Sequence, residues 1–279
     1  MPYLQGPIYQ VLPTRGLVQK IRYVLIRDIN INSSFEIVFQ AMQLLLTFDV
    51  EPDYSTGDTD PYRHLNIFFR EIVPKLIKND VPAILFVTNE VVKRFTEDSL
   101  KCADFFEIGV HTHPNFHEEY NNYGNKLSNY PYDAQYKMIK RDYDLIATLI
   151  GKKPKLFRAG KFAANKDTLR VLRELGIPVD SSLTVPYVFR YRALSERPWR
   201  AFKEDGLIRI PVLAVDMRAF DLLFKLKNIW IGMLDGWTTC CICLHSWFAA
   251  RYNHFDIKKY KFISLSQLLE IERLLLVEK

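Results

Sequence analysis

The chain has 279 residues, and one α/β barrel of about 250 residues would use nearly all of that length, so a single main domain is expected. Hydrophobic residues at 48% and charged residues at 25% are the balance of a globular protein with a full core, which excludes a disordered chain. The formal net charge of +6 would suit an anionic partner, but the densest basic groups, Lys152, Lys153 and Lys155 and then Arg190 and Arg192, are short and broken by apolar residues; a solvated face accounts for them, and no nucleic-acid partner is expected.

The opening MPYLQGPIYQ lacks a basic region followed by an apolar core, which argues against a secretory signal. No stretch approaches the roughly 18 uninterrupted apolar residues of a membrane span. A cytosolic protein is therefore expected, and four cysteines, three of them at Cys240, Cys241 and Cys243, fit reduced thiols better than a spaced disulfide framework. Residues 1–40 carry apolar runs of their own and are expected to form an extension packed on a catalytic barrel spanning 41–279.

From there the chain alternates short apolar runs with segments of helical period. AMQLLLTF is a strand ending at Asp49, HLNIFFREIVPKLIKND a helix, VPAILFV the next buried strand, and FFEIGV a strand ending at His111. DAQYKMIKRDYDLIATLIG is a helix with a glycine stop, PKLFRAG a strand, and NKDTLRVLRELG a capped helix leading through IPVD into a loop. LIRIPVLAVD and TTCCICLHSW are late strands, and ISLSQLLEIERLLLVEK closes the chain as a strand start and a terminal helix. The order is strand then helix throughout, the pattern of βα units around a largely parallel sheet. Asp49, His111, Arg158 and His245 each follow an apolar strand directly, and in parallel α/β barrels the loops at the carboxyl ends of the strands share one face.

His111 and His113 in EIGVHTHPNF leave the same face of a strand end, with Cα atoms about 7 Å apart, so both imidazoles can converge on one metal ion. His113 and His117 are an alternative pair, one turn apart if Pro114 opens a helix. Asp49 and Glu51 in LLLTFDVEPDY repeat the alternating geometry with carboxylates; one can bind metal while the other serves as base, and spacing does not choose between them. His245 is a candidate general acid, with Asp180 or Asp216 as the carboxylate that fixes its ring, and Arg158 can hold the base ionised. The adjacent cysteines point to opposite faces of a strand and no second pair completes a zinc site, so they read as buried packing. Among the aromatics, Trp199, Trp230, Trp237 and Trp247 read mostly as core, with some able to stack on a sugar ring.

The ordered series TFDVEP, EIGVHTHP, FRAGKF, VDSSL and CLHSW resembles the motifs of the polysaccharide deacetylase family of carbohydrate esterases, the NodB-homology family, from about Leu44 to the end of the chain. The resemblance implies a distorted (β/α) barrel of about seven parallel strands and a divalent metal, usually zinc, with hydrolysis of an N-acetyl group on a sugar or glycoconjugate. Carried over residue by residue, Asp49 matches the catalytic base, His111 and His113 the metal histidines, Arg158 the arginine that orients the base, and His245 the catalytic acid. The commonest members have adjacent aspartates in the first motif, whereas here Val50 follows Asp49, and Glu51 takes the metal-binding assignment. The acidic motif that orients the last histidine is not recognisable, which leaves Asp180 and Asp216 both open. The expected activity is that of a cytosolic N-deacetylase acting on an intermediate of polysaccharide assembly. A small-amide or ureide hydrolase on the same barrel is a second reading, and a member that binds glycan or a partner without catalysis is a third.

Overall fold

The computed structural model describes residues 43–54, 60–184, 201–216, 239–251 and 261–276. The expected extension over 1–40, the tryptophans Trp199, Trp230 and Trp237, the pair Arg190 and Arg192, and positions 55–59 of the polar segment after Glu51 lie outside the described residues. Among those residues no helix is long and apolar enough to cross a membrane.

Strand β1 (Gln43–Val50) lies between β2 (Ile84–Val87) and β9 (Thr239–His245), and both pairings are parallel. Leu44, Leu45, Leu46, Phe48 and Val50 are all buried, the continuous apolar run of a parallel strand covered on both faces. Beyond β2 the sheet continues through β3 (Glu107–Thr112), β4 (Leu156–Ala159), β5 (Val179–Asp180) and β7 (Leu207–Arg209), with β6 (Phe202–Glu204) antiparallel on its far edge; beyond β9 lies β8 (Val212–Val215), and β10 (Lys261–Phe262) pairs with the start of β1. β7, next to the edge strand β6, and β8, at the other end of this order, are separated along the chain only by Ile210 and Pro211. Thr184, just after β5, bridges Val212, so the sheet curls round into a barrel. The single strand expected over LIRIPVLAVD is therefore two, broken where proline has no N–H for a ladder, and IPVD, expected to run into a loop, supplies β5.

Helices cover the outside. The helix expected after the Asp49 loop is α1 (Arg63–Ile67), a π-helical turn (Phe68–Ile72) and α2 (Val73–Lys78). Pro74 explains the wide turn, because its ring clashes with the carbonyl four residues back. Two short helices, α3 (Asn89–Arg94) and α4 (Thr96–Ala103), follow β2 where no element is expected from the sequence; Thr88 caps the first, its hydroxyl accepting from the Val91 N–H at 3.3 Å. α5 (Tyr132–Ile150) stops at Gly151, whose φ of +72° is the left-handed conformation that glycine enters without penalty. α6 (Lys166–Glu174) starts in a capping box, with Asn165 and Thr168 each accepting from the other's backbone. α7 (Ser246–Arg251) leaves β9 directly, and α8 (Leu265–Leu276) ends the described chain.

The barrel interior is apolar at the amino ends of the strands, where Leu45, Ile84, Leu156, Val179 and Cys241 pack together. Toward the carboxyl ends it becomes polar. Register places Asp49 beside His245 across β1 and β9, and His111 beside Arg158 across β3 and β4. Four chemically loaded residues from four separate strands thus share one end of one barrel.

Candidate active site

Arg158 forms the floor. Its side chain is completely buried, and all five of its N–H groups have acceptors: Nε donates to the Ser181 carbonyl at 3.0 Å, Nη1 to Asp49 Oδ1 at 2.5 Å and Cys243 Sγ at 3.2 Å, and Nη2 to Thr47 Oγ1 at 3.0 Å and Ser181 Oγ at 2.8 Å. The guanidinium also lies over the Phe86 ring, 4.1 Å from its centroid. A guanidinium withdrawn from water is tolerable only when saturated in this way. Burial by itself pushes the Asp49 carboxyl up; the charge of Arg158, followed by those of His111 and His245, outweighs it and holds the group below its ordinary value. Thr47, Ser181 and Cys243 were not among the sequence candidates, although alternation gives a signal for two of them: Thr47 lies two residues before Asp49 and Cys243 two before His245, each on the inward face. Cys243 is thus more than apolar packing, since its sulfur accepts from the arginine.

Above this floor stand Glu51, His111 and His113, whose potential ligand atoms all lie within 4.8 Å of one another. His113 Nε2 is 2.9 Å and His111 Nε2 is 3.5 Å from Glu51 Oε2, and the two imidazole nitrogens are 3.1 Å apart. Ligands about 2.1 Å from a tetrahedral ion lie about 3.4 Å from each other, so this spacing suits one small cation. His111 Nδ1 is 2.9 Å from the Arg158 carbonyl, which fixes the tautomer and turns Nε2 toward the cluster. Burial raises the Glu51 carboxyl, but hydrogen bonds from both histidines and their charges bring it well below the usual range, as suits a carboxylate that stays ionised. Asp49 stays back: Oδ2 is 3.9 Å from His111 Nε2 while Oδ1 is taken by Arg158. The donor set of two imidazoles and one carboxylate fits a divalent metal, zinc included.

Gly160 supports the cluster from beneath. A methyl group at its Cα would sit 2.5 Å from three carbons of the His113 ring. Gly160→Ala is expected to displace that ring and weaken zinc binding by about ten-fold or more, measured by competition with a chromophoric chelator; unchanged affinity would show that the ring is free to move aside.

His245 faces Glu51 from the other side, with Nε2 at 3.5 Å from Oε1. Its Nδ1 is 3.1 Å from Asp216 Oδ2, and its backbone N–H donates to Asp216 Oδ1 at 3.0 Å. Asp216 follows β8 with φ of +56°, a conformation unusual for a residue with a side chain, and this turns its carboxylate back onto His245. Asp180, the other candidate, is engaged elsewhere: Oδ2 accepts from Arg209 Nε at 2.8 Å and Oδ1 from the Ser182 hydroxyl at 2.5 Å. The carboxylate on His245 is Asp216, and Asp180 is a buried partner of Arg209. Burial pulls the His245 ring down, yet the Asp216 hydrogen bond and the charges of Asp49, Asp216 and Glu51 raise it to about 9. Trp247 stacks on His245 at 4.9 Å, so its ring orients the imidazole. On the opposite rim Phe116 lies 5.4 Å from the His113 ring and 6.0 Å from the exposed Tyr54. His117 is not in the cluster: Pro114–Phe116 forms one short 3-10 turn, after which the His117 ring turns away toward Asp142.

The family model for polysaccharide deacetylases matches residues 39–179, half of the chain, and that span carries Asp49, Glu51, His111, His113 and Arg158. The chain belongs to the polysaccharide deacetylase family. His245 and Asp216 lie beyond the matched span and join the site through the fold. Among solved structures, a Mycobacterium smegmatis protein classed with the polysaccharide deacetylases aligns at 18% identity and a TM-score of 0.60, covering 84% of this chain and 91% of that one. A CE4 family pseudoenzyme from Bacillus anthracis aligns at 14% identity and 0.51, covering 81% and 65%. The 4-alpha-glucanotransferase of Thermococcus litoralis aligns at 14% and 0.55, covering 82% and 38%. These likenesses establish the barrel fold. No curated protein matches the sequence.

Proposed function

We propose that the chain is a zinc-dependent N-deacetylase acting on an N-acylated sugar or glycoconjugate intermediate of polysaccharide assembly. The observation that carries this reading is the meeting of Glu51, His111 and His113 at one point, between a carboxylate fixed by Arg158 and a histidine fixed by Asp216. Glu51, His111 and His113 would hold the ion, which when bound supplies Lewis-acid polarisation of an amide carbonyl and a more acidic water. Asp49, kept ionised by Arg158, is placed to take a proton from the attacking water. His245, kept protonated by Asp216, is placed to give a proton to the departing amine as the amide C–N bond breaks, yielding acetate and the free amino sugar.

The altered first motif does not empty the cluster, because Glu51, two positions after Asp49 on an extended chain, points to the same side and reaches both histidines. That favours an enzyme over a binding-only member. The aromatic pair Tyr54 and Phe116 at the mouth suits the apolar face of a sugar ring better than a compact ureide.

The purified protein is expected to take up one zinc ion per chain and release acetate from an N-acetylhexosamine conjugate, with His111→Ala and His113→Ala each losing both properties. Metal content by elemental analysis and acetate release by a coupled assay check this. Absence of metal uptake, with activity indifferent to both substitutions, would remove the hydrolase reading.

A further inference from the structure

α5 buries a stripe made of Gln135, Met138, Ile139, Asp142, Ile146 and Ile150, and at its centre Asp142 is only 1% exposed. A carboxylate in such a place is costly unless its oxygens are saturated. Oδ2 accepts from the Thr112 hydroxyl at 2.7 Å, Oδ1 accepts from Asn89 Nδ2 at 2.6 Å, and His117 Nε2 lies 3.2 Å from Oδ1 and 3.3 Å from Oδ2. Among the described residues, His117 is the only basic side chain within reach of the Asp142 carboxylate. Its other ring nitrogen, Nδ1, is buried with no hydrogen-bond partner, so the contact with Asp142 alone fixes the ring through hydrogen bonding.

These donors bracket the metal-ligand candidates. Thr112 separates His111 from His113, and alternation along β3 sends its side chain outward to α5 while both histidines point into the barrel. His117 stands at the far end of the turn Pro114–Phe116. The segment carrying His113 is therefore tied to one carboxylate at both ends, by Thr112 before it and His117 after it, and Asn89 links the same carboxylate to the start of α3.

We propose that Asp142 is a positioning residue for the His111–His113 pair, clamping the end of β3 so that both Nε2 atoms meet Glu51. This rests on the metal-binding reading above. Metal sites tolerate displacements of only about 0.5 Å, and a strand end held by its backbone ladder alone has more freedom than that.

The test is zinc affinity of the full chain, with Co(II) absorption reporting ligand geometry, for wild type, Asp142→Asn, Thr112→Val and His117→Gln. Ile146→Val, on the same buried face of α5, is the control for stability lost without loss of the clamp. Asp142→Asn is expected to weaken zinc binding by about ten-fold and to alter the Co(II) spectrum, with Thr112→Val and His117→Gln giving smaller changes of the same sign and Ile146→Val none. Should Asp142→Asn fail to fold, Thr112→Val and His117→Gln decide the matter. Wild-type affinity and spectrum in the clamp variants would overturn the positioning role while leaving the metal site standing. A wild-type protein that takes up no metal would overturn both, and is told apart by that first titration.

Discussion

Arg158→Met is expected to destabilise the fold by about 3–5 kcal/mol, because it leaves the Asp49 carboxylate buried without its cation. Urea melts of metal-free protein at neutral pH measure the loss. Asp49 is only 2% exposed, and methionine offers none of the five donors that Arg158 distributes over Asp49, Cys243, Thr47 and Ser181. The pH dependence follows from the direction of the Asp49 shift. A carboxyl held below its ordinary value contributes stability that is complete above its unfolded value of about 3.9 and is lost as pH falls through the folded value. The gap between wild type and Arg158→Met should accordingly narrow on acidification. The double variant Asp49→Leu with Arg158→Met removes both charges and is expected to recover much of the loss. If the double variant is as unstable as the single one, packing rather than the ion pair explains the effect.

His245→Gln is expected to lower turnover by about 10²- to 10⁴-fold with zinc content unchanged, the range for a lost general acid. Its pH behaviour is the sharper test. A ring raised to about 9 by Asp216, Asp49 and Glu51 is protonated below that value, so an activity that needs the proton declines as pH rises through it. A cation on Glu51 adds positive charge beside the ring and draws this alkaline limb lower. Asp216→Asn removes the hydrogen-bonded carboxylate and is expected to move the limb further toward acid, whereas Asp180→Asn should cost stability through the buried Arg209 and leave the limb in place. A limb that follows Asp180 instead would reverse the assignment made from the geometry.

The two aspartates show why part of the site was not legible in the sequence. Each stands at the end of a short apolar run, and nothing local separates them. Asp180 sits on β5 against Arg209 of β7, while Asp216 follows β8 with a left-handed backbone that folds it over His245. Register and one dihedral made that choice, and both are consequences of how the sheet closes. Asp142 was hidden differently: within a helical stripe it looks like a break in the apolar pattern, and its meaning depends on three donors drawn from other segments. The short helices Asn89–Arg94 and Thr96–Ala103 were missed because each is too brief to show a period.

What the sequence determined by itself is the order of strands and helices and the placing of Asp49, Glu51, His111, Arg158 and His245 at or just past strand ends, since apolar runs and two-residue alternation are local properties. Only the tertiary structure decided which of these groups touch, which aspartate holds His245, where His117 turns, and that Cys243, Thr47 and Ser181 saturate Arg158. Those outcomes depend on contacts between residues far apart along the chain, 111 positions for Thr47 and Arg158 and more for Glu51 and His245. A buried charge selects its partners by the geometry that the whole barrel imposes, and short-range pattern does not encode that geometry.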